Sequence, residues 1–393
     1  MIYGFAGLTL NTDRMVLQRG DQNIPVEPQV FDILRVLAEH AGTLVTKDHL
    51  IEEVWGGRFV SDATISARIN AARMAVGDTG SAQKVIRTVP RRGFELVAAV
   101  EETGSAPPDF QPEIRQTIRY TKSKDGRSIA WSSAGEGPPL VLAWHQFSHL
   151  ETDWGSPLMT PILRRLASRF RLIRYDIRGS GLSDPIDEHD TVDTHVDDLI
   201  AVADAAELDC FSIVAVLQSA AIAAQAAARM PERFLRMVLW SAYARGRALR
   251  PGAPESAEHD PFIALLNSGG WGNPDNPFMR AWATMVLPGA SHNETTDLIL
   301  QIAHSGTTRQ ALLQRKLIDN VDVTNSLPLV KCPTLVIHPR LGALHPAAEG
   351  RRVAAGIQGA VFLELDSANT FPIPSDPIFE QQMSETLGFM VRE

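Results

Sequence analysis

Hydrophobic and polar positions change their spacing near residue 100, and this change divides the chain into two parts. Before it, alternating runs and segments with a helical period predominate. After it, short continuous apolar runs alternate with helical segments. Alternation indicates half-buried strands, a 3.6-residue period indicates amphipathic helices, and continuous short runs indicate strands buried on both faces. We therefore predict two domains of different fold class.

The first part has the order strands, three helices, hairpin. GLTLNT and RMVLQR alternate and predict short antiparallel strands. A second helix begins after Thr46 as its N-cap, and a third extends from the cap Ser61 to Gly77. KVIRTV and FELVAAV flank the turn PRRG and predict a closing hairpin. The first helix, in EPQVFDILRVLAEHAG, has its apolar face on Val30, Ile33, Leu34, Leu37 and Ala38. This order is that of an α+β winged helix-turn-helix domain.

TKDHLIEEVWGGRFVSDATISARINAARMAVGD, together with VIRTVPRRGFELVA, resembles the OmpR-type transcriptional regulatory winged-helix family over nearly all of residues 1–100. The resemblance implies that the third helix lies in a major groove and that the hairpin wing contacts phosphates or a minor groove. The alternative is a winged helix that binds protein, and the basic run from Lys84 to Arg92 favours DNA. The predicted DNA-binding residues are Thr64, Ser66, Arg68, Asn70, Arg73, Arg87, Arg91 and Arg92.

Residues 101–115 are rich in Pro, Gly, Ser and acidic side chains and predict a linker. From residue 116 to residue 393 the pattern predicts a mainly parallel sheet with helices on both faces. The predicted strands are RSIAWSSAG, PPLVLAWH, FRLIRYD, FSIVAVL, RMVLWSA, CPTLVIHP and AVFLELD. Residues 242–325 interrupt this rhythm, and we expect them to form a helical lid over the carboxyl ends of the strands.

The second part resembles the α/β-hydrolase family in FRLIRYDIRGSGLSD, AARMPERFLRMVLW and CPTLVIHPR. That family places its nucleophile in a G-x-S-x-G elbow, which falls here on residues 215–219 and puts Leu217 at the serine position. HPRLGALHP places Leu341 and Gly342 where the acid belongs, and LDSANTFP places Thr370 where the histidine belongs. The resemblance therefore implies the hydrolase fold without its triad, and a domain that is not an enzyme.

Three functions remain open for the second domain. The first is a sensor that binds a small organic effector without consuming it. The second is an esterase or lyase that uses Ser219, His145 or Asp176; a slip of the alignment would bring in Ser219 or Asp366, yet no histidine follows His345. The third is a structural domain that only dimerises.

For the sensor, a pocket between sheet and lid is expected to bind the effector. SHLETDW also resembles a hydrolase subgroup fused to bacterial signalling modules. The predicted ligand-binding residues are Trp144, His145, Gln146, Leu217, Gln218, Trp271, Trp282 and Thr370.

Composition limits the other possibilities. The chain has 393 residues, 44% hydrophobic and 21% charged, and residues 1–100 hold equal numbers of acidic and basic side chains, so the net charge of −9 lies beyond them. Cys210 and Cys332 are too far apart in sequence to suggest a disulfide framework or a zinc site, and we expect no cofactor and no metal. Without a long apolar stretch or a signal peptide, a cytoplasmic protein with no membrane partner is expected. We expect promoter DNA and a small organic effector as partners, and a homodimer because symmetric operators require paired readers.

Overall fold

The computed structural model describes residues 2–12, 16–20, 22–55, 60–90, 92–103, 114–251, 271–273 and 275–391. The chain divides into two compact units, Met1–Pro112 and Glu113–Glu393. Within the described ranges, no helix is both long and apolar enough to cross a membrane.

The first unit is a winged helix-turn-helix. Its helices are α1 (Pro28–Glu39), α2 (Lys47–Trp55) and α3 (Asp62–Val76). Its strands are β1 (Ile2–Phe5), β2 (Leu8–Asn11), β3 (Val16–Arg19), β4 (Gln22–Ile24), β5 (Val45–Thr46), β6 (Ile86–Val89), β7 (Gly93–Leu96) and β8 (Val100–Thr103). They form one antiparallel sheet in the order β4-β3-β2-β1-β8 and a second in the order β5-β7-β6, of which β6 and β7 are the wing hairpin.

The helix ends follow the predicted capping chemistry. The Thr46 hydroxyl accepts from the His49 N–H (3.2 Å), and the Ser61 hydroxyl accepts from the Thr64 N–H (3.2 Å). At the other end of α3, Gly77 adopts φ 76°, a left-handed conformation that glycine accepts without a steric penalty. The five residues predicted to form the apolar face of α1 are all buried. Local sequence therefore sets the position of α3, the helix expected to meet DNA.

The closing strand differs from the prediction. FELVAAV does not form one strand: β7 ends at Leu96, and β8 starts at Val100 and pairs antiparallel with β1. This pairing extends to Thr103, three residues into the segment expected to be a linker. The cause is tertiary packing, because β8 forms the edge of a sheet and pairs with β1, which lies almost a hundred residues earlier.

The second unit has the α/β-hydrolase fold. Its strands are β9 (Thr117–Lys122), β10 (Ser128–Ala134), β11 (Pro139–Ala143), β12 (Arg171–Tyr175), β13 (Phe211–Val216), β14 (Phe234–Trp240), β15 (Thr334–Pro339) and β16 (Val361–Leu365). They form one sheet in the order β16-β15-β14-β13-β11-β12-β10-β9, parallel from β12 through β16 and antiparallel at β10 and β9. The crossover beside β11 is where such sheets bind ligands.

Helices cover both faces of this sheet. They are α4 (Leu150–Asp153), α5 (Thr160–Ala167), α6 (Val192–Ala205), α7 (Gln218–Arg229), α8 (Pro277–Val286), α9 (His292–Ser305), α10 (Thr308–Asp319), α11 (Ala347–Gly356) and α12 (Phe379–Met390). Short 3₁₀ turns occupy Pro231–Arg233, Arg247–Leu249 and Leu327–Leu329. Helices α8, α9 and α10 lie in the insertion between β14 and β15, where the lid was expected.

Central and edge strands carry different patterns. Every residue of β13 is buried, as the continuous run FSIVAV predicts. The alanine-rich helix α7 follows it directly and is buried along most of its length. β9, in contrast, is an edge strand with most side chains exposed, and its sequence TIRYTK lacks the apolar run that identified the others. It was therefore missed in the sequence.

Candidate functional site

One face of α3 is open to solvent. Ser66 and Asn70 lie on it as predicted, together with Ala63, Ala67 and Met74, of which Met74 is 74% exposed. Thr64 is exposed at the edge of the face, and its hydroxyl lies 3.0 Å from the Ser61 hydroxyl. Small side chains at the centre of the face let a helix approach base edges closely, and alanine and amide side chains are suited to thymine methyl groups and adenine.

The two arginines predicted on α3 lie away from this face. Arg73 is 5% exposed; its Nε donates to the Ile86 carbonyl oxygen (3.1 Å) and its Nη2 to Thr88 Oγ1 (2.7 Å), so it ties α3 to the wing. In this conformation the guanidinium of Arg73 is bonded within the domain and does not face solvent, and its predicted contact with DNA stays a prediction. Arg68 is partly exposed and pairs with Glu27, which precedes α1. The spacing of residues along α3 did not by itself show that these two arginines lie off the exposed face.

The wing presents the remaining basic residues. Arg92 is exposed beside the hairpin turn. Arg87 is also exposed, and its Nη2 lies 2.6 Å from Glu95 Oε2 on the neighbouring strand. Arg91 lies outside the described residues. Two of the three arginines predicted on the wing thus face solvent, and one of these two carries a carboxylate partner.

In the second unit, Leu217 occupies the turn between β13 and α7 with φ 56° and ψ −122°. This combination is strained for a residue with a side chain and is the sharp strand-to-helix turn of a nucleophile elbow. The Leu217 N–H donates to the Trp240 carbonyl oxygen (3.0 Å), which fixes the turn against β14. The elbow is therefore present, with an aliphatic side chain at its tip.

The two other triad positions also lack reactive groups. Leu341 and Gly342 follow β15, and Leu341 is 59% exposed. Thr370 follows β16, is 3% exposed, and donates its N–H to the Val286 carbonyl oxygen (3.0 Å). Neither loop supplies a carboxylate or an imidazole at the expected place.

Two residues of the enzyme alternative, Ser219 and Asp176, are held by internal hydrogen bonds. The Ser219 hydroxyl is fully buried and donates to the Trp144 carbonyl oxygen. Asp176 accepts from the Ser148 hydroxyl (2.9 Å) and from the backbone N–H of Leu150 (3.2 Å) and Leu182 (2.9 Å). Both groups are thus bonded within the protein, and neither lines the cavity described next.

A cavity of about 50 Å³ lies at the carboxyl ends of the strands. His145, Gln146, Leu217, Gln218 and Trp282 line it, and all five were predicted to bind a ligand. Its other described lining residues are Phe147, Tyr243, Arg247, Val286, Leu298, Arg315, Ile318, Asp319, Leu344, His345 and Phe371. Loops after β11, β13, β14, β15 and β16 all contribute, as the topology of an open parallel sheet requires.

Three residues predicted to bind the ligand do not line this cavity. Trp144 is 1% exposed and packs edge-on against Trp240 and Phe371 in the core. Trp271 packs against Phe147 and Trp282, two residues that do line the cavity. Thr370 is displaced from the wall by the next residue, Phe371. The structure does not place these three residues on the wall of this cavity, and their role in ligand binding stays a prediction.

The aromatic part of the cavity contains two buried hydrogen-bond donors. The ring of His145 lies 5.2 Å from that of Phe371 and 5.5 Å from that of Phe147. Burial lowers the pKa of His145 to about 3, so its imidazole is neutral at pH 7. Its Nδ1 accepts from the Phe147 N–H (3.1 Å), which places the remaining proton on Nε2. His145 Nε2 and the amide nitrogen of Gln218 have no hydrogen-bond partner among the described residues.

The other part of the cavity is charged, and sequence reasoning missed it. Tyr243 and His345 stack with ring centroids 4.2 Å apart, and Arg315 pairs with Asp319 one helical turn later on α10. Burial, followed by the positive charges of the surrounding arginines and His338, lowers the pKa of His345 well below its usual range. Tyr243, Arg315 and Asp319 belong to no motif, and only the fold brings them beside His345, which lies in the HPRLGALHP segment.

Comparison with known proteins separates the two units in the same way. Residues 21–96 match the family described as transcriptional regulatory protein, C terminal. The transcriptional activator CadC of Escherichia coli is 30% identical over 111 residues, 26% of this chain, which span only 22% of that activator. The first unit is an OmpR-type winged helix.

The second unit resembles hydrolases. Pyrrolizixenacetamide deacetylase of Xenorhabdus hominickii is 22% identical over 245 residues, which cover 61% of this chain and 87% of that protein. The crystal structure of a hydrolase from Pseudomonas aeruginosa superimposes with a TM-score of 0.58 at 21% identity, over 70% of this chain and 99% of that one. At this identity the likeness establishes the α/β-hydrolase fold alone.

Proposed function

We propose that the chain is a ligand-responsive transcriptional regulator, in which the winged helix binds promoter DNA and the α/β-hydrolase domain binds a small organic effector without turning it over. The observation that carries this proposal is Leu217 at the tip of a fully formed elbow. A leucine side chain has neither a lone pair nor a proton to transfer, so it cannot act as the nucleophile.

The rest of the cavity supports binding over catalysis. No serine, threonine, cysteine or lysine belongs to its described lining. Its histidines, His145 and His345, have lowered pKa values, and its one described carboxylate, Asp319, is paired with Arg315. A histidine base of the hydrolase triad activates a serine or cysteine side chain, and neither belongs to the described lining.

The cavity also suggests how binding is sensed. Pockets for drug-sized ligands have volumes of about 300 to 1,000 Å³, whereas this cavity measures about 50 Å³. An organic molecule therefore needs room that the insertion must provide by moving, because Trp282, Val286 and Leu298 form part of the wall. A conformational change that accompanies binding is what a sensor requires.

For DNA binding, the exposed face of α3 and the wing provide the surface. Asn70 and Ser66 offer hydrogen bonds to base edges, and Arg92 offers a contact to phosphate. We expect the full-length protein to bind duplexes selected from a random library, measured by fluorescence anisotropy at two salt concentrations. Arg92→Ala should weaken binding and reduce the salt dependence by about one phosphate contact. Arg164→Gln, at an exposed arginine of α5, is the matched control.

The catalytic half of the proposal needs its own assay. We expect no turnover of p-nitrophenyl acetate or butyrate and no labelling by a fluorophosphonate. Turnover or labelling abolished by Ser219→Ala would establish an enzyme in place of a sensor. Failure to select any duplex would remove the regulator assignment, whatever the second domain binds.

A further inference from the structure

Two buried side chains of the cavity wall carry hydrogen-bond donors that the protein itself does not use. His145 is 2% exposed and Gln218 is 4% exposed, and both line the cavity. The imidazole nitrogen His145 Nε2 and the amide nitrogen Gln218 Nε2 have no hydrogen-bond partner among the described residues. A buried donor without an acceptor destabilises the folded state, so donors in such places are normally paired. These two nitrogens therefore point to an acceptor that a ligand supplies.

The internal hydrogen bond of His145 decides which ring nitrogen carries the proton. Nδ1 accepts from the Phe147 N–H (3.1 Å), so the proton of the neutral ring lies on Nε2. Burial lowers the pKa of His145 to about 3, and the ring is therefore neutral at pH 7. His145 Nε2 is thus an uncharged donor, as is the amide nitrogen of Gln218.

This arrangement differs from the one that binds a carbonyl oxygen in a hydrolase. There, the oxygen accepts from two backbone N–H groups, one in the residue after the nucleophile and one in a loop after an early strand. In this chain the Phe147 N–H, in the loop after β11, is taken by His145 Nδ1. The side chains of His145 and Gln218 therefore provide a means of recognising an oxygen atom that is separate from the backbone of the elbow.

The surroundings of these donors favour an uncharged ligand. The ring centroid of His145 lies 5.2 Å from that of Phe371 and 5.5 Å from that of Phe147, which in turn lies 5.4 Å from that of Trp282. An anion placed among these rings against neutral donors would lose its hydration without gaining an opposite charge. A carbonyl oxygen of a ketone, ester, lactone or amide accepts the same hydrogen bonds without that cost.

We propose that the effector is an uncharged carbonyl compound, whose oxygen accepts hydrogen bonds from the side chains of His145 and Gln218 and whose apolar body lies among the aromatic rings. This inference rests on the proposed function and deepens it by naming the class of ligand. Because the donors are side chains, substitution can remove the recognition of the carbonyl group and leave the elbow in place.

The test compares ketones with hydrocarbons of the same shape. Acetophenone is paired with α-methylstyrene and cyclohexanone with methylenecyclohexane, in which a CH₂ group replaces the oxygen, and benzoate is the anionic counterpart of acetophenone. A ketone has no leaving group, so its binding can be measured whether or not the domain hydrolyses esters.

Binding to the full-length protein is measured at pH 7.5 and constant ionic strength from thermal stabilisation in sealed cells, because a ligand of the native state raises Tm by mass action. We expect at least one of the two ketones to bind, and to bind at least about tenfold more tightly than benzoate.

Variants assign the binding to the two donors. Gln218→Met removes the amide at similar side-chain length, and His145→Phe removes the imidazole proton. In each variant the affinity of the bound ketone should fall at least about fivefold, whereas the affinity of its hydrocarbon should stay within about twofold. Gln381→Met, at an exposed glutamine of α12, is the matched control and should change neither. If His145→Phe does not fold because the Phe147 N–H loses its acceptor, Gln218→Met decides alone.

Each other outcome counts against the proposal. Benzoate that binds as tightly as the ketones, or a panel in which no ketone stabilises the protein, would overturn the uncharged carbonyl class. A ketone and its hydrocarbon that respond alike to Gln218→Met would show that water serves the two donors and that they do not select the ligand. A ketone that binds through Gln218 but leaves DNA affinity unchanged supports the ligand class and contradicts the regulator. A ligand of another class that alters DNA affinity does the reverse.

Discussion

The elbow at Leu217 makes a quantitative prediction about stability. Its backbone has φ 56° and ψ −122°, a combination that costs a residue with a Cβ atom about 1 to 3 kcal/mol of conformational strain. Leu217→Ala keeps this strain and loses most of a side chain that is only 8% exposed. Truncation of a buried leucine costs about 2 to 5 kcal/mol, and we expect the low end because this side chain borders a cavity. Leu217→Gly loses one methyl group more but relieves the strain.

We therefore expect Leu217→Gly to be more stable than Leu217→Ala by about 1 kcal/mol, the reverse of the usual order. For a domain of this size that corresponds to a Tm higher by roughly 2 to 4 °C. Tryptophan fluorescence during thermal unfolding reports mainly on the second unit, because six of the seven tryptophans lie beyond residue 112. The matched control is Ala224→Gly, the same exchange within α7, which should cost about 1 kcal/mol.

The comparison also refutes the reasoning cleanly. If Leu217→Gly is less stable than Leu217→Ala by as much as Ala224→Gly is less stable than the natural protein, the turn carries no strain. The elbow would then be an ordinary loop, and the position of Leu217 would lose its significance for function.

Three further outcomes are expected. Leu217→Ser should leave p-nitrophenyl acetate hydrolysis at the buffer rate, because no imidazole follows β16 to activate the hydroxyl; a serine-dependent burst would contradict this. Asn70→Ala should weaken specific DNA binding by about 1 to 3 kcal/mol and leave Tm unchanged. Arg73→Met should instead lower the stability of the winged helix by about 2 to 4 kcal/mol. The opposite pattern would reverse the roles assigned to Asn70 and Arg73. Acid should destabilise the second unit, because His145 and His195 have pKa values of about 3 and about 4 in the folded protein, below the ordinary 6.5. The stability that these neutral histidines contribute above pH 6.5 is lost as the pH falls toward 4. An unchanged Tm between pH 7 and pH 5 would contradict this.

Sequence patterns predicted the winged helix well because its information is local. Caps at Thr46 and Ser61 and the left-handed Gly77 define the helix ends within a few residues of sequence. What the pattern missed depends on pairing across long separations. β8 joins β1 over nearly the whole length of the domain, and Arg73 turns inward because the wing, more than ten residues later, supplies its acceptors.

The same division holds in the second unit. The hydrolase motifs predicted that Leu217, Gln146 and Gln218 lie at one cavity. This is because the carboxyl ends of the strands in an open parallel sheet meet at one edge. The charged part of the cavity could not be predicted from the sequence. Arg247 and Arg315 lie almost seventy residues apart, in an insertion without a motif, and only the fold brings them to one wall.

The packing around the elbow explains why this turn can keep its shape with a leucine at its tip. The turn is held from both sides: β13 is buried along its whole length, and the alanines of α7 let that helix pack closely on the sheet. The backbone of residue 217 is therefore fixed by packing and by the bond from its N–H to Trp240, whatever side chain it carries. Exchange of a serine for a leucine there removes the nucleophile but leaves the walls of the pocket in place. The core therefore pre-organises the sheet side of the cavity, and under the proposed function a ligand that binds there without turnover can report its own concentration.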